Sequence, residues 1–338
     1  MKGSIGKTAA AAALAAAGAG AGAAEPPRVA VDIPPVQSLV SRVMQGAGAP
    51  AAVMPPGASP HDHALRPSEA RRLDAAELVI WIGPDLTPWL EGAVETLAAD
   101  AAVLTLSDVP GVRHLALREG AAFEAHDHGD GHDDGHGHDD GHGHDDDHGH
   151  DDDHGHETGG DHGHDHAGED PHLWLDPANA RAWLPAIAAA LAEADPANAA
   201  LYRANAAAGA AELEALEARV DAALAPARGK PFVVFHDAYH YFEARFGIEA
   251  AGAISVSDAA PPGAARVAAI RDTIERVDAV CIFTEPQFEP RLARRLAEGP
   301  GARIGVLDPL GAGLEPGPGL YPALIEGMAA GLADCLAR

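Results

Sequence analysis

The sequence predicts an α/β protein of two lobes, each a parallel-type sheet with flanking helices, joined by a long rigid helix. Three observations carry that prediction. Short apolar runs recur along the chain, helical patterns fill the spaces between them, and a helix-rich stretch without strand signals divides the runs into two sets. Runs that are apolar throughout, rather than alternating, fit strands covered on both faces.

Residues 1–24 come first and read as an export signal. Lys2 and Lys7 form a short basic region, Ala9 to Ala17 an apolar run, and Ala21-Gly22-Ala23-Ala24 a small-residue cleavage zone, with cleavage expected near Ala23 or Ala24. An alanine-rich helix that stays attached is the alternative. No later segment approaches the ~20 apolar residues needed to cross a bilayer, so a soluble mature protein is expected. No cysteine lies near the cleavage zone to accept a lipid anchor.

The N-terminal lobe is assigned to residues 25–194, with strand runs at Val29 to Ile33, Ala51 to Met54, Leu78 to Ile82 and Ala102 to Leu106. Asp176-Pro177 then opens a helix expected to reach about Ala194. Asp195-Pro196 opens a second, rich in Ala, Leu and Glu, that continues to about Leu224 and makes 195–226 the linking segment. Its roughly 28 residues span about 40 Å, enough to run from lobe to lobe. A surface helix of one large domain is the alternative. The C-terminal lobe, 227–338, has runs at Phe232 to Phe235, Ala279 to Phe283 and Ile304 to Leu307.

Composition narrows the function. At 338 residues and 47% hydrophobic the chain can build real cores, which excludes disorder as a description of the whole. With 23 Lys+Arg against 51 Asp+Glu and a net charge of -28, it would repel phosphate, so no nucleic-acid partner is expected.

Fourteen of the 20 histidines lie in residues 126–166: His126, His128, His132, His136, His138, His142, His144, His148, His150, His154, His156, His162, His164 and His166. The tract holds no apolar residue, and its fourteen Asp and one Glu carry more than half of the net charge. It cannot offset the ordering entropy of a fold, so a disordered insert that binds metal weakly at several places is expected. Capture, sensing or storage of metal are its candidate roles, and a solvated charge run is the bland one.

Cys281 and Cys335 are the only cysteines, and export would place them in an oxidising compartment. One disulfide between the C-terminal helix and the Val280 to Phe283 strand is the expectation, and two small buried core residues the alternative.

Polar residues collect where strands end, which is where open α/β sheets bind ligands. His61 lies in the turn after Ala51 to Met54, His236 follows Phe235, Glu285 follows Thr284, Asp308 follows Leu307, and His172 precedes Leu173-Trp174-Leu175. Three imidazoles from separate strand ends with a carboxylate nearby suit Zn2+ above all. Each histidine alone reads more simply as a hydrogen-bonded structural residue, and only their joint placement on both lobes favours a cleft site.

Six motifs point further: Gly57-Ala58-Ser59-Pro60-His61-Asp62-His63-Ala64-Leu65-Arg66-Pro67-Ser68, Leu78-Val79-Ile80-Trp81-Ile82-Gly83-Pro84, His172-Leu173-Trp174-Leu175-Asp176-Pro177, Phe235-His236-Asp237-Ala238-Tyr239, Thr284-Glu285-Pro286-Gln287-Phe288 and Leu307-Asp308-Pro309-Leu310-Gly311. In order, from about Val29 to Leu336, they resemble the periplasmic zinc-binding proteins of high-affinity zinc ABC importers. The resemblance implies Zn2+ as transported ligand, a periplasmic location, and a zinc ABC permease of the inner membrane as partner, with other periplasmic zinc proteins as further candidates. A monomer without enzymatic activity is expected.

The resemblance matches His61, His172 and His236 to the three zinc-ligating histidines and leaves the fourth place to Asp308 or water. Manganese-binding relatives carry a glutamate at the His236 position, which favours zinc here. The resemblance also supports a Cys281–Cys335 disulfide. Departures are Pro60, where some zinc-binding members have a glutamate, and His63 and His240, which replace residues that are usually not histidine. His63 and His240 are expected beside the site or at its rim, His63 being the better candidate for an alternative ligand. Asp237 is expected to orient a ligand or hold its turn. His114 reads as a surface residue. The alternatives are a manganese- or iron-binding importer component and a periplasmic zinc buffer. A zinc hydrolase is disfavoured, since no His-Glu-x-x-His helix occurs.

Overall fold

Two four-stranded parallel sheets with the same strand order organise the chain. They are seen in a computed structural model that describes residues 25–118, 122–123, 168–255, 262–288, 290–298 and 301–337. The expected signal segment 1–24 and the His-rich insert 126–166 lie outside the described residues.

The first sheet holds β1 (Val29–Val31), β2 (Ala51–Ala52), β3 (Leu78–Trp81) and β4 (Ala102–Thr105) in the order β2-β1-β3-β4. Helices α1 (Pro34–Val43), α2 (Pro67–Asp74) and α3 (Pro88–Leu97) connect these strands. Each begins with proline, which loses nothing at a position whose N–H has no helical partner. The second sheet holds β5 (Phe232–His236), β6 (Ala253–Ser255), β7 (Cys281–Thr284) and β8 (Arg303–Val306) in the order β6-β5-β7-β8. Its helices, numbered after the two that link the sheets, are α6 (His240–Phe246), α7 (Ala264–Val277), α8 (Arg291–Glu298) and α9 (Leu320–Leu336).

The apolar runs alternate between two cores. Val29, Val31, Leu78 and Ile80 join the same inner core as Phe232, Val234, Cys281 and Phe283. Their neighbours Ala30 and Val79 pack outward in one lobe, and Val233 and Ile282 outward in the other. Strands with both faces buried are apolar throughout, which is why they were legible as runs. The outer strands β4 and β8 are the exception, with Val103 47% and Val306 57% exposed.

Between the sheets run α4 (Pro177–Ala194) and α5 (Ala199–Leu224). Asp176 caps α4 by accepting from Ala178 N, and Asp195 caps the short 3-10 turn Pro196–Asn198 that precedes α5. The 26 residues of α5 span about 39 Å. Its buried stripe of Tyr202, Ala206, Gly209, Leu213, Leu216, Val220 and Leu224 faces the shared core. Gly209 permits the close approach, since a Cβ there would stand 3.2 Å from Leu184. Glu212 of α5 pairs with Arg42 of α1, and Arg219 with Glu326 of α9. The helix is thus tied to both lobes.

Two differences from the sequence reading have local causes. Strand β1 stops at Val31 because the Asp32 carboxylate, not a neighbouring strand, accepts from Ile33 N and Ile82 N. Strand β6 was missed. It is three residues long, and pairing with Val234 and His236, rather than an apolar run of its own, defines it.

Candidate metal centre

Three histidines reach one point from three unrelated pieces of chain. His236 is the last residue of β5, its backbone held in register with Ser255 of β6. His172 immediately precedes the 3-10 turn Leu173–Leu175, whose C-cap Asp176 opens α4. His61 stands in the loop between β2 and α2, where its N–H donates to Ser59 Oγ and Trp89 Nε1 donates to the neighbouring Pro60 carbonyl. His172 and His236 are buried, at 4% and 3% exposure, while His61 is half-buried.

The ring centroids of His61, His172 and His236 lie 5.0, 5.7 and 4.9 Å apart. One nitrogen from each falls within 4.8 Å of the others, a convergence of His, Cys, Asp or Glu donors found nowhere else among the described residues. The Nε2 atoms of His61 and His172 are 3.1 Å apart. Tetrahedral zinc with Zn–N of about 2.0–2.1 Å needs ligand nitrogens roughly 3.3 Å apart, so small side-chain shifts would close the set on an ion.

A carboxylate lies behind each of two of the rings. His172 Nδ1 donates to Asp170 Oδ1 at 2.6 Å, and His172 N donates to the same oxygen at 2.9 Å. His236 Nδ1 lies 3.3 Å from Glu285 Oε1, whose other oxygen accepts from Gln287 Nε2 at 2.8 Å. For His172, the N–H committed to Asp170 leaves the lone pair on the opposite nitrogen, the form a metal requires. Burial, then the charges of His236 and Arg118, hold His172 well below the ordinary histidine pKa, so this imidazole is neutral. Burial also raises Asp170 to about 7 against the hydrogen bond from His172.

The other residues singled out in the sequence stand as follows. The Asp308 carboxylate accepts from the backbone N–H groups of Leu310 and Gly311 at 3.2 and 2.8 Å, which holds the loop after β8. His63 Nε2 contacts Glu69 Oε2 at 2.9 Å, its ring lies against Trp89, and Glu69 also accepts from Arg66 N at the start of α2. His240 Nδ1 is 3.8 Å from Asp170 Oδ2, behind His172. Asp237 is held by Arg118, and burial raises its pKa to about 6 despite that cation. His114 pairs with Glu169 at 2.7 Å. Cys281 and Cys335 form a disulfide that ties β7 to α9.

Sequence reasoning missed Asp170 and Arg118. The signal for Asp170 was its place two residues before His172, close enough for a carboxylate to reach back to the ring. Arg118 had no local signal, because its partners lie 119 and 125 residues away.

A family model described as zinc-uptake complex component A, periplasmic, matches residues 29–335. The chain is 47% identical to the high-affinity zinc uptake system protein ZnuA of Brucella suis biovar 1, over 92% of each chain. It is 48% identical to the protein of the same name from Paracoccus denitrificans, over 93% of each. Among solved structures, a crystal structure of ZnuA superposes with a TM-score of 0.68 at 22% identity, covering 91% of this chain and 99% of that one. The periplasmic zinc-binding protein TroA from Treponema pallidum reaches 0.71 at 19% identity, covering 93% and 100%. The family model over most of the chain and these relatives show that the chain belongs to the ZnuA family of periplasmic zinc-uptake components.

Proposed function

We propose that the protein is an exported solute-binding protein that captures Zn2+ between its lobes on His61, His172 and His236 and delivers it to the permease of a zinc ABC importer. The observation that carries this reading is the convergence of three imidazole nitrogens within 4.8 Å, two of the rings backed by carboxylates. A donor set of three nitrogens suits zinc better than manganese, which takes more oxygen ligands. Water is the reading for the fourth position, since Asp308 is not among the converging donors and its Oδ1 holds its own loop. Transport, with no bond made or broken, accounts for the site without a catalytic step.

Export follows from residues 1–24, cleaved near Ala23 or Ala24, and among the described residues no helix is long and apolar enough to cross a membrane. The working units are the lobes 25–194 and 227–338 on the linking segment 195–226, with 126–166 an accessory, weaker zinc-binding tract. Chelator competition tests the reading on three forms: the mature chain, a chain lacking 126–166, and a His61→Ala, His172→Ala, His236→Ala variant. One tight site that survives the deletion and disappears in the triple variant is expected. Loss of tight binding with the insert would instead make the protein a zinc buffer.

A further inference from the structure

The segment that enters the His-rich insert and the segment that leaves it pair with each other beside the metal centre. Leu117 N donates to Gly168 O at 2.9 Å and Asp170 N to Leu115 O at 2.8 Å, with Ala116 opposite Glu169 in an antiparallel bridge. One side of this stem carries Asp170, which holds His172. The other carries Arg118, whose side chain is only 11% exposed.

Arg118 faces the C-terminal lobe. Its Nε lies 3.1 and 3.2 Å from the two Asp237 oxygens, Nη2 also contacts Asp237, and Nη1 donates to Glu243 Oε2 at 2.6 Å. The guanidinium carbon sits 3.9 Å from the centre of the Phe123 ring, and Phe123 N donates to Ala251 O. Leu115 N donates to Tyr241 Oη at 2.9 Å, a second tie from the stem to α6. Asp237 follows His236 directly in the chain. A closed circuit of contacts thus runs from His172 through Asp170, the stem and Arg118 to Asp237 and back to His236.

We infer that Arg118 is a positioning residue of the metal centre, which holds the His236 end of β5 against the stem that fixes His172. The inference rests on His61, His172 and His236 being the ligands. Arg118 meets two carboxylates that are 7% and 3% exposed. Buried carboxylates that lose their cation must move, ionise less or admit water, and the backbone they pull on is that of His236. A lysine keeps the charge but not the planar fork that meets Asp237 and Glu243 together.

The test measures zinc release into excess chelator and the visible spectrum with one equivalent of Co2+, on the mature chain and on Arg118→Ala, Arg118→Lys and His236→Ala. Arg118→Ala is expected to release zinc roughly 10–100-fold faster, the range for partners that orient metal ligands. It should also alter the Co2+ ligand-field bands, and Arg118→Lys should recover part of both. A lower melting temperature with unchanged release and an unchanged Co2+ spectrum would overturn the inference. If Arg118→Ala does not fold, Asp237→Asn, which weakens the same contact at constant size, decides by the same readings. A tight site that survives His236→Ala would count against the ligand assignment itself.

Discussion

The two sheets share one strand order, yet the ends of their matching strands do different work. In the first sheet, Asp32 follows β1 and ties it to β3 by accepting from Ile33 N and Ile82 N at 2.8 and 2.7 Å. In the second, His236 ends β5 and Glu285 follows β7, with His236 Nδ1 3.3 Å from Glu285 Oε1. Both places bring buried polar groups together at the ends of the same pair of strands. Asp32 spends its hydrogen bonds on backbone, whereas His236 brings a ring nitrogen within 4.8 Å of nitrogens of His61 and His172. The first lobe supplies the other two histidines, His61 from a half-buried loop and His172, buried and held by Asp170. On the proposed assignment the second lobe therefore offers a histidine at a strand end, and the first a buried histidine held by a carboxylate together with one on a half-buried loop.

That comparison predicts a graded set of effects on zinc affinity. The largest belongs to the proposed ligand at the strand end. His236→Ala should weaken binding by more than roughly 100-fold, beyond the range of residues that only orient ligands, as measured by chelator competition on a chain without 126–166. An equal or larger loss in His61→Ala with little loss in His236→Ala would reverse the ranking of the lobes. Next comes the tie itself. Glu285→Gln should cost roughly 10–100-fold, whereas Asp32→Asn, at the matching place in the first sheet, should change affinity by less than about threefold.

Protons compete with zinc for the imidazoles, so affinity should fall as pH drops below about 6.5, by up to about tenfold per pH unit for each histidine that titrates. The sign follows from the ligand form. Burial holds His172 well below the ordinary value, so it stays neutral and gives up zinc only at lower pH. Affinity that stays flat from pH ~8 to ~5 would contradict a three-histidine site. The smallest effect on zinc comes from the disulfide, which lies in the second lobe away from the site. Replacing Cys281 and Cys335 by alanine should cost about 2–5 kcal/mol in denaturant unfolding and leave affinity within about threefold.

The strands were legible because β1, β3, β5 and β7 are covered on both faces and so are written in unbroken apolar residues. Strand β6 was not, since Ala253–Ser255 is too short to form a run and owes its state to the neighbouring β5. His61, His172 and His236, which the fold brings together, could be singled out from their motifs, although only His236 stands at a strand end while His61 sits in a loop and His172 before a 3-10 turn. The groups beside them were less legible. Glu285 could be placed near the site but not paired with a particular ring. Asp237 was expected to orient a ligand or hold its turn, but its partner Arg118 is reachable only through the fold, 119 residues away. Spacing along the chain points to donors, while hydrogen-bond partners across the lobes emerge only once packing is known.

The central claim, that zinc is held by His61, His172 and His236, is tested most directly by zinc K-edge X-ray absorption on the chain lacking 126–166 and loaded with one equivalent of Zn2+. The account predicts three imidazole nitrogens at about 2.0–2.1 Å and one further light atom from water. A shell dominated by carboxylate oxygen, or one with fewer than three imidazoles, would contradict it.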